Sequence, residues 1–283
     1  MKIKTLAKVA AHLMKQGARA VVNQVTKPSM ESLEAVDWEK WAEHFRRNRE
    51  RRPEPDWEGQ VAMQRDGIRK MLPSLQQFEL GDGGGPACLI AFNAEDLHET
   101  SAEIKAVIDA WFDEEREHSR LLGAAVERFG GWHLKSHWSH AAFCAVRKAM
   151  GVRFELQVLL LTEIVSAAYY RVLRRHVDDC PVKDMCSLIL RDEAGHIAFH
   201  LDRLEAADNS ILGFRRKIWE TQFWMFGYLA AGVLWANHGP CLRPLGATNG
   251  EYLREVRRGI FRFVAQLKRR AIFRESSPAL AGG

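Results

Sequence analysis

Leu190-Arg191-Asp192-Glu193-Ala194-Gly195-His196-Ile197-Ala198-Phe199-His200 decides how this chain is read. It lies within 182–207, where an apolar stripe recurs at helical spacing between charged flanks. On such a helix Glu193 and His196 are neighbours, because residues three apart share a face. A second pair, Glu115 and His118, occurs in Glu114-Glu115-Arg116-Glu117-His118, inside a helical stretch, 101–129, that ends at Gly130-Gly131. The pattern is cheap: 23 Glu and 11 His in 283 residues give about one Glu-x-x-His by chance. Three occur. The third, Glu95–His98, precedes a helix cap at Thr100 or Ser101 and reads as incidental loop sequence. The other two lie deep in long helices, and that context separates them from chance.

Between these two helices, the stretch 152–176 is rich in Leu, Val, Ala and Tyr and carries Glu163 at its apolar centre. A carboxylate among aliphatic residues is costly to bury unless it is paired or bound to a cation. An ion pair with Arg171 or Arg174 is the plain alternative. A Glu-x-x-His helix on either side favours metal ligation, because a dinuclear bundle site takes two such helices and single carboxylates from two more. The fourth contributor should lie upstream of Ser101, in Ser74-Leu75-Gln76-Gln77-Phe78-Glu79-Leu80-Gly81-Asp82. Asp82 and Glu79 both qualify, and the ligand set by itself does not choose. Gly83-Gly84-Gly85-Pro86 follows at once, so the helix is expected to kink or end there.

The remaining chain is also helical in pattern. Trp38, Trp41, Ala42 and Phe45 follow the i, i+3, i+4, i+7 spacing, and the basic run 46–52 with Pro53 reads as a break. A stretch from about 57 to 80, another over 214–237 closed by Gly239-Pro240, and a basic helix over about 251–273 complete the set. No strand pairs or repeats are evident, so the expected class is all-α. A net charge of +5 with 47% hydrophobic residues excludes a disordered chain. Five cysteines without a CxxC pair imply reduced thiols, and with them a cytoplasmic protein.

Two segments raise the question of a membrane. Residues 1–30 hold six Lys/Arg and no acid, with Lys8 and Lys15 interrupting any signal-type apolar core. A solvated first helix is favoured over an anionic membrane surface contact. The uncharged run 221–242 has a solidly apolar core only over 223–236, which fits a buried or interfacial helix better than a span. His133, His137 and His140 resemble one histidine box of a membrane desaturase, but without further boxes an inter-helix loop is the better reading. No phosphate loop, dinucleotide fingerprint or Ser/His/Asp arrangement is present, and the basic runs read as solvated faces, so no nucleic-acid partner is expected.

The segments over about 57–246 resemble the bacterial ferritin-like di-metal carboxylate proteins. The likeness is to a largely uncharacterised branch related to ribonucleotide reductase small subunits. The resemblance rests on Gln77-Phe78-Glu79-Leu80-Gly81-Asp82, Glu114-Glu115-Arg116-Glu117-His118, Leu161-Thr162-Glu163-Ile164 with Tyr169-Tyr170, and Leu190-Arg191-Asp192-Glu193-Ala194-Gly195-His196. It implies Asp82, Glu115, His118, Glu163, Glu193 and His196 as metal ligands. The departure is Asp82, where the family pattern has Glu; one methylene shorter, it needs a closer helix or holds its metal more loosely. Resemblance to ribonucleotide reductase and methane monooxygenase further implies that Asp192 reaches His118 and Glu114 reaches His196. His200 and Tyr170 share the faces of His196 and Glu163. A proton relay and a hydrogen-bonded core histidine are open for His200, and a packed aromatic is favoured for Tyr170.

The implied architecture is a ferritin-like four-helix bundle over 56–246 that includes an apolar fifth helix. A basic helical arm at 1–55 and a basic helix and tail at 247–283 flank it. The implied function is an O2-activating non-haem di-metal oxidoreductase acting on an organic substrate. The apolar fifth helix hints at a hydrophobic, acyl-type one. Fe/Fe is favoured over Mn/Fe, with an external electron donor as a further partner and a monomer or dimer as the assembly. The alternative is an iron-oxidising, iron-handling ferritin-like protein without an organic substrate.

Overall fold

The computed structural model describes residues 36–83, 102–148, 151–207 and 214–276. The basic arm at 1–30 and the Glu95–His98 pair therefore lie outside the described residues. Within them are eight α-helices, one 3-10 turn and no strand. The helices are α1 Trp38–Glu50, α2 Arg65–Gly83, α3 Ala102–Arg128 and α4 Trp138–Lys148, then α5 Gly151–His176, α6 Cys180–Ala207, α7 Phe214–Leu242 and α8 Asn249–Ser276. The chain is all-α. Its contacts divide it into two compact units, with the boundary falling inside α2 and α5.

The first unit holds α1, the later part of α2 from Leu72, α3, α4 and the start of α5. Here α1 packs along α3 and buries Trp41 and Phe45, the residues that its helical spacing set on one face. On α3, Ile104, Val107, Ile108, Trp111 and Phe112 are buried, and so are Glu114, Glu115 and His118. The second unit holds the start of α2, α5 from Leu160, α6, α7 and α8, with α8 packed on α6 and α7. Close approach is possible there because glycines meet branched side chains. A Cβ at Gly227 would lie 2.5 Å from Ile260 Cδ1, and one at Gly259 would lie 2.8 Å from Ile164 Cγ2.

Helix ends follow from local chemistry. Asp179 Oδ1 accepts the Val182 N–H at 3.3 Å, so α6 begins ahead of the expected Val182, with Pro181 in the first turn where its missing N–H costs nothing. Thr248 Oγ1 accepts the Glu251 N–H at 3.1 Å and caps α8, after Gly246 turns the chain at a φ of 101° that side chains disfavour.

Three boundaries differ from the sequence reading. Helix α2 starts at Arg65 rather than near Trp57 and continues through Gly81 and Asp82 to Gly83. Helix α7 does not close at Gly239-Pro240 but passes through both to Leu242. At Gly239 the ring of Trp235 occupies the space of a Cβ, 2.8 Å from its Cε2, and the same ring stacks on Tyr252 at 4.9 Å. Packing holds that turn together where propensity would end it. Helix α4 was unexpected: of the stretch 133–140, read as a loop, only 133–137 is outside a helix. His137 Nδ1 accepts from the Ser139 hydroxyl at 2.6 Å and the Ser139 N–H at 3.4 Å, supplying the cap that no Ser, Thr, Asp or Asn provides.

Among the described residues only Leu156–His176 is long and apolar enough to cross a membrane, and 78% of that stretch is buried in the protein itself. The 221–242 run has a divided surface, with Phe223 and Trp235 buried and Met225, Tyr228 and Val233 exposed.

Candidate metal centre

Each unit contains one Glu-x-x-His pair joined by a carboxylate from a second helix. In the first unit the pair is Glu115 and His118 on α3, 8% and 0% exposed, with His118 Nδ1 3.6 Å from Glu115 Oε2. Asp82, on the last turn of α2, brings a carboxylate oxygen to the same place. Asp82, Glu115 and His118 offer ligand atoms that all lie within 4.8 Å of one another.

Reach explains how an aspartate serves there. The residue after it, Gly83, lies so near α3 that a Cβ would sit 2.1 Å from Ser119 Oγ and 2.4 Å from Ser119 Cβ. Rotating the serine relieves the first contact but not the second. The Ser119 hydroxyl also donates to the Glu79 carbonyl oxygen at 2.9 Å, tying the two helices at the same level. The backbones thus approach closely beside the shorter carboxylate, which is one of the two ways an Asp in place of a Glu can be accommodated.

Glu79, the other sequence candidate, is directed elsewhere. Its Oε1 meets His133 Nδ1 at 2.5 Å, and His133 Nε2 meets Glu127 Oε1 at 3.1 Å. The Glu79 hydrogen bond and charge, together with Glu127 and against a small desolvation penalty, raise the His133 pKa above the ordinary imidazole value.

In the second unit the pair is Glu193 and His196 on α6, 4% and 0% exposed, and α5 contributes Glu163, 6% exposed. His196 Nδ1 is 3.3 Å from Glu163 Oε2 and 3.9 Å from Glu193 Oε2. Ser166, one turn after Glu163, places its hydroxyl 3.1 Å from Glu193 Oε1 and 3.2 Å from the Glu163 carbonyl oxygen. No arginine or lysine pairs with Glu163 among the described residues, so the ion pair with Arg171 or Arg174 does not form. Arg171 is instead drawn down by burial and feels the charges of Glu255, Arg262 and Glu193.

The supporting residues are placed as follows. Asp192 is fully buried and pairs with Arg52 at 2.7 Å and Arg191 at 3.1 Å. Arg52 closes the basic run read as a solvated face, yet its side chain is only 8% exposed. Glu114 is buried at 4%. His200 is fully buried, its Nδ1 3.2 Å from Arg203 NH2. Tyr170 is a packed aromatic, its ring edge-on to Tyr169 at 5.2 Å.

Sequence reasoning did not find Gly83, Ser119, Ser166, Arg52 or Arg203. The glycine and serines carry no chemical signature of their own, and the arginines are hidden among the 41 Lys and Arg of a basic chain.

Buried carboxylates and imidazoles grouped in this way can hold a metal ion. The donors are hard oxygens and borderline nitrogens, which suit first-row divalent ions such as iron and manganese and offer no thiolate to select zinc or copper(I). No family model, no curated protein and no solved structure matches the chain.

Proposed function

We propose that the two triads, Asp82–Glu115–His118 and Glu163–Glu193–His196, together hold two metal ions, and that the protein is an O2-activating di-metal oxidoreductase of ferritin-like bundle type. The observation that carries this reading is Glu163. A carboxylate 6% exposed in an apolar helix, facing the imidazole of a Glu-x-x-His pair and, among the described residues, no lysine or arginine, is a poor structural element but a sound metal ligand. The sequence pattern adds the count: two Glu-x-x-His helices and two single carboxylates make the donor set of a dinuclear site.

Two iron ions fit this set, with Mn/Fe as the variant that the same hard ligands would accept. Such a pair, when bound, supplies two electrons to O2 and so the oxidising power to act on an organic substrate. The protein's part is to hold the ions in a water-poor setting. Four carboxylates balance most of the charge of two divalent ions, and the imidazoles tune them. An external electron donor would restore the reduced pair, in a monomer or dimer.

The test is anaerobic loading with Fe(II) followed by elemental analysis and O2 uptake. About two ions per chain are expected, with at least one lost in each of Glu115→Ala, Glu163→Ala and Glu193→Ala and none in Glu95→Ala. Full loading of Glu163→Ala would remove α5 from the site. Sizing of the loaded protein separates the enzyme from the iron-handling alternative, since a large hollow assembly would favour storage.

A further inference from the structure

Helix α7 is uncharged on both sides, although only one of them is packed. From Thr221 to Leu242 it has no Asp, Glu, Lys or Arg. Its inner side meets α8, where Phe223 stacks on Phe263 at 5.5 Å and Trp235 on Tyr252 at 4.9 Å. Its outer side is exposed at Met225, Tyr228, Val233 and Ala236, with Trp224 stacked on Tyr228 at 5.8 Å. Single exposed apolar residues are ordinary on any protein. A whole helix face without charge is not, since a water-facing helix normally carries charged and polar residues there. Helix α1 shows the ordinary case: Glu39, Lys40, Arg46, Arg47 and Glu50 are exposed, and Arg46 bonds to both Glu43 and Glu50.

The neighbouring helix supplies charge of one sign. On α8, Arg254, Arg257, Arg262 and Arg269 are exposed, with Phe261 exposed among them. The one acid between 252 and 273, Glu255, is buried. Lys268, half-exposed, reaches Glu220 of α7 at 2.7 Å, so the cationic surface of α8 borders α7.

We propose that the outer face of α7 and the cationic face of α8 form one surface that docks on an anionic lipid bilayer. The uncharged strip from Thr221 to Ala236 is about 23 Å long. Its opposite side is packed on the protein, so it lies in one leaflet rather than spanning. Trp224 and Tyr228 have rings of the kind that settle at headgroup depth. Long arginine stems let the guanidiniums reach lipid phosphates, and Phe261 adds apolar surface between them. A second copy of the chain is the other way to cover an apolar face. About a two-fold axis it would set these arginines toward their own images, which opposes association. An anionic headgroup layer accepts the strip and the cations together. Neither metal-binding triad has a residue on α7 or α8, so this inference stands without the metal reading.

The experiment is vesicle co-sedimentation of the full-length protein, with phosphatidylcholine alone and with equal parts of phosphatidylcholine and phosphatidylglycerol. The wild type should bind the mixed vesicles at least about tenfold more tightly, and high salt should remove the difference. Met225→Glu with Val233→Glu should weaken binding to the mixed vesicles at least about tenfold. Arg257→Gln with Arg262→Gln should do as much, since each basic residue near an anionic surface contributes about fivefold. All four residues are exposed, so melting temperatures should stay near wild type. If the glutamates disturb α7, the arginine variant and the salt dependence still decide. Equal binding to both vesicles, or binding to neither, overturns the proposal. Binding that both double variants retain also overturns it and places the contact elsewhere in the chain, with the basic stretch 1–30 the first place to look. Sizing covers the other occupant: a wild-type dimer that does not bind vesicles and that Met225→Glu with Val233→Glu splits would make the face a self-interface and overturn the bilayer reading.

Discussion

The two Glu-x-x-His pairs have the same residues at the same spacing, yet the carboxylate that joins each reaches it by a different route. Glu163 comes from the middle of α5 on a full glutamate side chain, with Ser166 beside it. Asp82 comes from the last turn of α2 on a shorter side chain, and the backbone makes up the difference through Gly83 against Ser119. What the halves share is reach, the sum of side-chain length and helix separation. A carboxylate can be shortened where a missing Cβ lets the helix move in.

The largest effect should come from the short side chain itself. Asp82→Ala is expected to deplete one metal, while Glu79→Ala, which removes one of the two carboxylate partners of His133, should leave loading near wild type. The reverse result in elemental analysis would show that α2 presents the wrong residue in this account.

Next comes the glycine. Gly83→Ala forces a Cβ into Ser119 and should cost about 1–3 kcal/mol of stability by denaturant unfolding, as overpacking does. It should also weaken metal loading by pushing Asp82 away. Adding Asp82→Glu should restore loading without restoring stability, because the longer carboxylate recovers the lost reach. Failure of that rescue would break the comparison between the halves.

In the second half, Ser166→Ala removes one hydroxyl beside Glu193 and should cost about 1 kcal/mol. Metal loading should be retained, since Glu163 and Glu193 keep their own reach.

The smallest effect concerns pH and belongs to the first half alone. A raised imidazole pKa stabilises the fold while His133 is protonated. That contribution is complete below the ordinary 6.5 and is lost as pH rises through the raised value. Melting temperature should therefore fall modestly over that interval, because His133 is half-exposed, and His133→Asn should flatten the dependence. A flat wild-type profile would show that the His133–Glu79 contact does not hold α2.

The sequence by itself determined that the chain is helical and which residues of each helix lie together. Helical spacing is a local property: three residues bring Glu115 to His118 and Glu193 to His196 in any α-helix. Glu163 was legible for a related reason, since one acid in an apolar helix is an anomaly wherever that helix packs. Asp82 against Glu79 was not legible from the residues, because the two differ in which neighbour they meet across helices. Only the fold directs one toward His118 and the other toward His133. The continuation of α7 through Pro240 was hidden for the same reason, being held by Trp235 against Gly239 and Tyr252 rather than by propensity. Arg52 and Arg203 complete the contrast. Sequence counts them among many exposed cations, and tertiary structure decides that one is buried against Asp192 and the other turns to His200, because burial and pairing depend on what the rest of the chain brings alongside.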